Sequence, residues 1–164
     1  MAETEPFSVE KFVAGLSRKR MASGVLFRDD TGRVLLVEPS YKQQWEIPGG
    51  AVDENESPWA TVSRELTEEL GMRRPVGRLL VVDYIHADGD WPEAVMFVFD
   101  GGVLTQSDVD AMVFADGEIL SAGFYDLPAA RERLIPRLAG RVEAALEAVK
   151  LGTTVLCEHG RPIT

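Results

Sequence analysis

The spacing of apolar residues predicts a helix followed by a β-hairpin near the N-terminus. The helix is expected within residues 8–17. Apolar runs then occupy residues 21–28 and 33–38, and the turn-forming segment 29–32 (Asp-Asp-Thr-Gly) separates them. Residues 45–48 form a short extended piece. The helix prediction rests on Val9, Phe12, Val13 and Leu16.

Residues 57–71 carry the signals of one complete amphipathic helix. Ser57 suits the N-cap, and Pro58 suits the first helical position, where its missing N–H has no partner to lose. Gly71 suits the left-handed position that ends a helix. The apolar stripe that we expect to face a core consists of Trp59, Val62, Leu66 and Leu70.

Three later runs of aliphatic and aromatic residues predict buried strands. They cover residues 76–85, 94–99 and 118–125. The segment 86–92 between the first two runs is polar and rich in turn residues, so it predicts a loop.

A helical pattern occupies the C-terminal part of the chain. It begins after Asp126, an N-cap residue, and Pro136 interrupts it. We therefore expect a kink or two helices, the longer one over about residues 137–150. Its buried stripe is expected to be Leu138, Val142, Leu146 and Val149. This order of elements predicts an α/β fold whose sheet is covered on both faces.

Composition predicts a single globular domain over residues 1–164, because 45% of the residues are hydrophobic and 27% are charged. The start, MAETEPFSVEKF, lacks the basic and apolar segments of a secretory signal, and no apolar run is long enough to span a membrane. Cys157 is the only cysteine, so we expect no intrachain disulfide, a packing role for Cys157 and a cytoplasmic location.

The chain is strongly acidic. Its formal net charge of −10 argues against nucleic acid polymers and anionic membranes as partners. Residues 46–69 hold seven acidic side chains and one basic side chain, that of Arg64. An anionic substrate can approach this segment only if cations screen it. The basic triplet 18–20 (Arg-Lys-Arg) is interpreted as solvated, with a phosphate contact as the alternative.

Three carboxylates share one face of the predicted helix 57–71. Glu65, Glu68 and Glu69 lie at positions i, i+3 and i+4, where like charges repel by about 0.2–0.5 kcal/mol per pair. A hard divalent cation such as Mg²⁺ or Mn²⁺ prefers oxygen ligands and would offset this repulsion. The structural alternative is an acidic helix end in contact with solvent.

The spacing of the charged residues is more specific than their number. Gly50 is followed after five residues by Glu56, then after seven by Arg64-Glu65-Leu66, and then by Glu68-Glu69 and Gly71-Met72, with one residue before each of the last two pairs. This pattern over residues 50–72 resembles the Nudix box, and the chain resembles the Nudix hydrolases. The resemblance implies an α/β/α sandwich with a mixed β-sheet over about residues 22–150, with an N-terminal extension at 1–20 and a C-terminal tail at 151–164.

The resemblance also implies an activity and a set of site residues. The activity is cleavage of the pyrophosphate bond in a nucleoside diphosphate linked to another group, or in a nucleoside triphosphate, by water activated at Mg²⁺ or Mn²⁺. The implied metal ligands are Gly50, through its carbonyl, and Glu65, Glu68 and Glu69, one of which can also serve as general base. Arg64 and Glu56 are implied to orient these carboxylates. Alternatively, Arg64 only pairs with Glu68 on the helix surface.

Sequence features outside the box do not define the substrate. A small nucleotide or related diphosphate is expected, with a nucleoside triphosphate slightly favoured, and the oligomeric state stays open, with a homodimer as one alternative. His86 and His159 are isolated in the sequence and are not interpreted as catalytic. Candidate substrate contacts, for each of which packing or solvent exposure is the alternative, are Trp45, Lys42, Tyr41 and Glu118, with Trp91 and Tyr84 as further aromatic candidates. Asp116 and Glu118 are also candidates for the additional carboxylate that many family members supply from a loop.

Two kinds of function are consistent with the box. One is a metal-dependent pyrophosphohydrolase, and the other is a Nudix-like module that binds a nucleotide or nucleotide sugar without turnover. Binding modules often lose a box carboxylate, whereas this chain retains all of them. The sequence therefore favours the enzyme.

Overall fold

A computed structural model describes residues 7–163, which fold around one β-sheet. Residues 1–6, which belong to the predicted extension 1–20, and residue 164 lie outside the described residues. The strands are β1 (Arg20–Arg28), β2 (Val34–Pro39), β3 (Gly49–Ala51), β4 (Leu79–Ile85), β5 (Ala94–Val103), β6 (Ile119–Tyr125), β7 (Val155–Glu158) and β8 (Arg161–Pro162). The helices are α1 (Val9–Ala14), α2 (Pro58–Leu70), α3 (Gln106–Asp110), α4 (Leu127–Arg133) and α5 (Pro136–Leu151).

The sheet is mixed, as the resemblance implies. Its strands lie in the order β6-β2-β1-β5-β4-β7-β8, and β3 pairs with β1 beside this path. The pairs β1–β5 and β4–β7 are parallel, and the remaining pairs are antiparallel. β1 pairs with β2 near its C-terminal end, where Arg28 lies opposite Val34, and with β3 near its N-terminal end, where Ser23 lies opposite Gly50. This division brings the glycines of β3 against the centre of the sheet.

Helices cover both faces of the sheet, which confirms the predicted α/β/α sandwich. Successive side chains of a strand point to opposite faces, so neighbouring residues of β1 and β2 enter different cores. The core beneath α2 contains Val25, Phe27, Leu35, Val37, Val62, Leu66 and Leu70. The core beneath α5 contains Leu26, Val34, Leu36, Leu138, Val142 and Ala145.

The predicted stripe of α2 is confirmed at three positions and wrong at Trp59. The side chain of Trp59 is 63% exposed, and Thr61 is the fully buried residue of that turn. Thr61 donates its hydroxyl to Glu56 Oε2 at 2.7 Å, so a polar residue occupies this buried position with its hydrogen bond made.

Two separate helices, rather than one kinked helix, follow β6. Asp126 caps α4 by accepting a hydrogen bond from Ala129 N at 2.9 Å, and α5 begins at Pro136. Within the predicted stripe of α5, the first two residues are buried and Leu146 and Val149 are only partly buried. Small residues take much of the buried surface instead, namely Ala139, Ala144, Ala145 and Ala148.

The helix expected within residues 8–17 forms as α1, which spans Val9–Ala14. None of its described residues is buried, because its apolar side chains do not pack on the sheet. No helix within residues 7–163 combines the length and the apolar character that a bilayer span requires.

Most of the expected C-terminal tail 151–164 belongs to the fold, because its described residues 151–163 include two strands of the sheet. β7 pairs in parallel with β4, and β8 pairs with β7. Val155 and Cys157 point inward, and the burial of Cys157 agrees with a packing role. Buried and exposed residues alternate over only the four residues of β7. So short a pattern does not distinguish a strand from an irregular chain end by sequence alone.

Candidate functional site

The ends of α2 are fixed by the residues that the sequence indicates. Ser57 Oγ accepts a hydrogen bond from Ala60 N at 3.3 Å, and Pro58 occupies the first helical position. Gly71 ends the helix in the left-handed conformation, at a φ of 64°. The helix packs against β1 and β3, so its acidic face lies beside the strand that contains Gly49 and Gly50.

Arg64 is at the centre of a network of carboxylates. Its Nε and Nη2 donate to the two oxygens of Glu56 at 2.9 and 3.0 Å, a bidentate pair. Its Nη1 donates to Glu65 Oε1 at 2.8 Å and to Glu68 Oε2 at 3.0 Å. The hydrogen bonds from Arg64 and Thr61 lower the pKa of Glu56 to about 2. Arg64 therefore makes both the predicted pair with Glu56 and the alternative pair with Glu68.

Glu69 is the buried member of the cluster, with 7% of its surface exposed. Its Oε2 accepts a hydrogen bond from Gly49 N at 2.8 Å. Burial raises the pKa of Glu69 to about 8, with the charges of Glu65, Asp116 and Glu118 adding to the effect and the Gly49 hydrogen bond opposing it. The carboxylates of Asp116 and Glu118, two of the candidate residues, therefore contribute to the electrostatic environment of Glu69.

The two glycines of β3 allow a close approach that other residues would block. A Cβ at Gly50 would overlap the Glu65 carboxylate. Gly49 has a φ of +139°, and a Cβ there would overlap the carbonyl oxygen of Ser23. The backbone of β3 thus lies directly against a box carboxylate, which is the approach that a metal-binding carbonyl at Gly50 requires.

The donor chemistry of this region suits a hard divalent cation. Within residues 7–163, no three Asp, Glu, His or Cys side chains are arranged as a formed cation site. Glu65 and Glu68 are held by Arg64, and Glu69 is held by Gly49. Burial, together with repulsion from neighbouring carboxylates, raises the pKa of both Glu65 and Glu69. Such crowded oxygen donors have an excess of negative charge that a cation would offset.

A cavity of about 340 Å³ opens beside Gly49 and Gly50. Four of its lining side chains are Lys or Arg, and two are acidic, although the chain as a whole has a formal net charge of −10. The basic residues are Arg20, Lys42, Arg137 and Arg141. The hydroxyl of Ser23, another lining residue, is buried and makes no hydrogen bond with the described residues. The cavity therefore suits a polar, negatively charged ligand.

Of the predicted substrate contacts, Lys42 and Trp91 line the cavity. The ammonium of Lys42 pairs with Glu46, and the Trp91 ring stacks on Arg20. Trp45 packs edge-on against Tyr125 with ring centroids 5.2 Å apart, and this agrees with the packing alternative. Tyr41 is 68% exposed and is not among the lining residues. Glu118 lies on the acidic side, near Glu69.

Sequence reasoning missed the arginines of α5 and the pairing of the two histidines. Arg137 and Arg141 are four residues apart on one helix, and a basic residue within an apolar stripe is the signal that could have indicated them. His86 and His159 are 73 residues apart in the chain but stack with ring centroids 5.2 Å apart. The sequence interval between them gives no sign of this contact.

Comparisons with known proteins identify the family. The sequence matches the NUDIX domain family over residues 18–145. Diphosphoinositol polyphosphate phosphohydrolase 2 of Rattus norvegicus is 42% identical over 64 residues, which are 38% of this chain and 36% of that protein. The chain thus spans little more than a third of the length of this curated relative.

Solved structures with a similar fold include two NUDIX proteins. A MutT NUDIX hydrolase from Burkholderia pseudomallei matches with a TM-score of 0.61 and 26% identity, over 81% of this chain and 99% of that one. The NUDIX domain of Shewanella oneidensis NrtR, solved with ADP ribose, has a TM-score of 0.67 and 19% identity, over 87% and 99% of the two chains. The chain belongs to the NUDIX domain family, as the spacing within residues 50–72 predicts.

Proposed function

We propose that this protein is a divalent-metal-dependent pyrophosphohydrolase. Its substrate is a nucleoside diphosphate linked to another group, or a nucleoside triphosphate, and water cleaves the pyrophosphate bond. The observation that supports this most directly is the position of the α2 carboxylates against Gly49 and Gly50, at one end of a cavity rich in basic side chains. The Rattus relative is named a phosphohydrolase, and the Burkholderia structure is named a hydrolase.

Mg²⁺ or Mn²⁺ would be held by Glu65, Glu68, Glu69 and the carbonyl of Gly50. When bound, the cation supplies charge neutralisation for the phosphates and lowers the pKa of water. Arg64 orients Glu65 and Glu68 through its Nη1, while the bidentate pair with Glu56 fixes the guanidinium itself. A residue that acts in this way tunes a site without touching the substrate.

The protein supplies two further contributions to phosphoryl transfer. Glu69 is buried beside the backbone of β3, where its ionised carboxylate would be placed to accept a proton from attacking water. Lys42, a predicted substrate contact that lines the cavity, would bind a phosphate and help to hold the scissile bond in place, which is the main requirement of this chemistry.

The second candidate is a module that binds a nucleotide or nucleotide sugar without turnover. The NUDIX domain of Shewanella oneidensis NrtR was solved in complex with ADP ribose, so a domain of similar fold binds such a ligand. The complete set of box carboxylates in this chain favours the enzyme, because binding alone does not require them. The two candidates differ in turnover, so turnover decides between them.

A substrate screen tests the proposal. Nucleoside diphosphate derivatives and nucleoside triphosphates are incubated with the protein and Mg²⁺ or Mn²⁺, and release of nucleoside monophosphate is measured. We expect cation-dependent release from at least one substrate and none in the presence of excess chelator. Tight binding of a substrate without any release would support the binding module instead.

A further inference from the structure

The basic end of the cavity contains an arginine that is fixed in place before any ligand binds. The Arg141 side chain is 7% exposed, and its Nε and Nη2 lie 2.9 and 2.8 Å from Oδ2 of Asp83, which is completely buried. The two oxygens of Asp83 also accept from Gly160 N, at 2.9 and 3.1 Å. Residues from β4, α5 and the β7–β8 turn thus hold the guanidinium in one orientation at the cavity wall.

This ion pair leaves part of the arginine available. Among the described residues, Arg141 Nη1 makes no hydrogen bond, although Nε and Nη2 are both engaged. A buried ion pair stabilises a fold no better than well-packed apolar residues of similar size. A fixed guanidinium with a free donor pair, however, recognises a phosphate or carboxylate group with little loss of side-chain entropy.

Two further arginines of the cavity lack carboxylate partners. Arg137 lies one helical turn before Arg141 on α5, and its side chain makes no hydrogen bond or ion pair within the part of the chain that the structure describes. Arg20 donates to Pro92 O at 2.9 and 3.2 Å and stacks on Trp91, with 4.9 Å from its guanidinium carbon to the ring centroid. By contrast, Lys42 at the same cavity is paired with Glu46.

We propose that Arg20, Arg137 and Arg141 form a subsite for a second anionic group of the substrate. This proposal rests on the proposed function and narrows it: the preferred substrate carries a phosphate or carboxylate in addition to the diphosphate that is cleaved. The box carboxylates of α2 take the metal end of the substrate, and the three arginines take its other charged end. The phosphate-contact alternative for the triplet 18–20 thereby applies to Arg20, since Lys19 pairs with Glu93.

Matched ligand pairs test the subsite. NADP⁺ and NAD⁺, and coenzyme A and dephospho-coenzyme A, each contain a pyrophosphate bond and differ by one phosphate group. We expect the parent protein to favour the phosphorylated member of a pair at least tenfold, both in calorimetric binding without metal and in kcat/KM with Mg²⁺, since hydrogen bonds between charged groups contribute about 1.5–3 kcal/mol. The kinetic preference should lie in KM.

Substitutions identify the residues responsible. R141A leaves Asp83 buried without its partner, so the test uses R137A and R20A, each of which should reduce the preference about tenfold and leave kcat within about threefold. R73A is the matched control, because Arg73 is also exposed, has no described partner and does not line the cavity. A carboxylated ligand, NAD⁺ with nicotinic acid in place of nicotinamide, separates a carboxylate site from a phosphate site.

The binding measurement keeps the subsite distinct from the enzymatic proposal. If nothing is hydrolysed but the phosphorylated members bind more tightly through Arg137 and Arg20, the subsite stands and the enzyme does not. If the parent binds both members of each pair equally, or binds neither, the subsite is wrong. It is also wrong if R137A and R20A weaken both members of a pair to the same extent.

Discussion

At the scale of single residues, the site depends on two adjacent glycines that have different tasks. A side chain at Gly50 would meet the flexible end of Glu65, whereas a side chain at Gly49 would meet the backbone of Ser23. Gly49 also has a φ of +139°, a conformation that L side chains rarely adopt. Gly49 is therefore required by the fold, and Gly50 is required by the placement of the Glu65 carboxylate.

Alanine substitutions separate these two tasks. G49A should lower the free energy of unfolding by about 3 kcal/mol, because the strained backbone cannot relax. G50A should change it by less than about 1 kcal/mol but reduce turnover about 10²-fold, because Glu65 must move aside. Urea unfolding and turnover under saturating Mg²⁺ measure the two effects. Full activity in folded G50A would contradict the role assigned to this contact.

Asp29 predicts a pH-dependent contribution to stability. Its Oδ1 accepts from Thr31 N, Thr31 Oγ1 and Arg33 N at 2.8–3.0 Å, and its Oδ2 accepts from Arg33 Nε at 2.6 Å. Burial alone would raise the pKa of Asp29, but these hydrogen bonds outweigh it and lower the pKa from 3.8 to about 2. A carboxyl whose pKa is lower in the folded state stabilises the fold above its unfolded pKa and loses this effect as the pH falls.

The expected outcome is that D29N is less stable than the parent by about 2 kcal/mol at pH 7. This difference should shrink as the pH falls from about 4 toward 2. D30N is the control, since Asp30 is exposed and carries the same charge. Urea denaturation at several pH values measures the difference, and a gap that is unchanged down to pH 2.5 would rule out the ionised carboxylate as its origin.

At the scale of elements, local signals predicted what is locally determined. The caps of α2 and the turn of the β1–β2 hairpin depend on residues within a few positions of one another, so their sequence signatures suffice. The same is true of the carboxylates, which a single helix places together. The prediction that Trp59 is buried was wrong, because periodicity gives the face of a helix but not the point along its length where contact with the sheet begins.

Features that combine distant segments were not predictable from one sequence. Asp83 and Arg141 are 58 residues apart, and Gly160 reaches Asp83 from the opposite end of the chain. The wall of the cavity that holds Arg141 thus depends on β7 and β8, which the sequence pattern did not indicate. For the same reason, the two α5 arginines of the cavity, Arg137 and Arg141, could not be assigned to it in advance.

At the scale of the whole molecule, charge is distributed unevenly. The chain has a formal net charge of −10, yet four basic side chains line the cavity beside Gly49 and Gly50, while the three box carboxylates lie together on α2. An anionic substrate is therefore attracted at the cavity and repelled at α2 until cations neutralise the carboxylates. The homodimer remains a prediction. The exposed apolar residues of α1 are positions where substitutions could be compared for their effect on oligomeric state.

Cation binding should stabilise the fold. A ligand that binds only the native state at ten times its Kd adds about 1.4 kcal/mol, which corresponds to roughly 3–6 °C in melting temperature for a domain of this size. Differential scanning calorimetry with millimolar Mg²⁺ or Mn²⁺, against NaCl at equal ionic strength, measures the shift. The metal site is wrong if neither cation moves the transition and calorimetric titration detects no binding.

The measurement that bears most directly on the central claim is turnover of the E69Q variant. Gln is nearly isosteric with Glu and can still accept the hydrogen bond from Gly49 N, so E69Q should fold and should be at least as stable as the parent without metal. With saturating Mg²⁺ and a substrate from the screen, its kcat should fall by about 10²-fold to 10⁴-fold, while E147Q, an exposed change on α5, should leave kcat unaltered. A folded E69Q that retains turnover within about threefold of the parent would contradict the account.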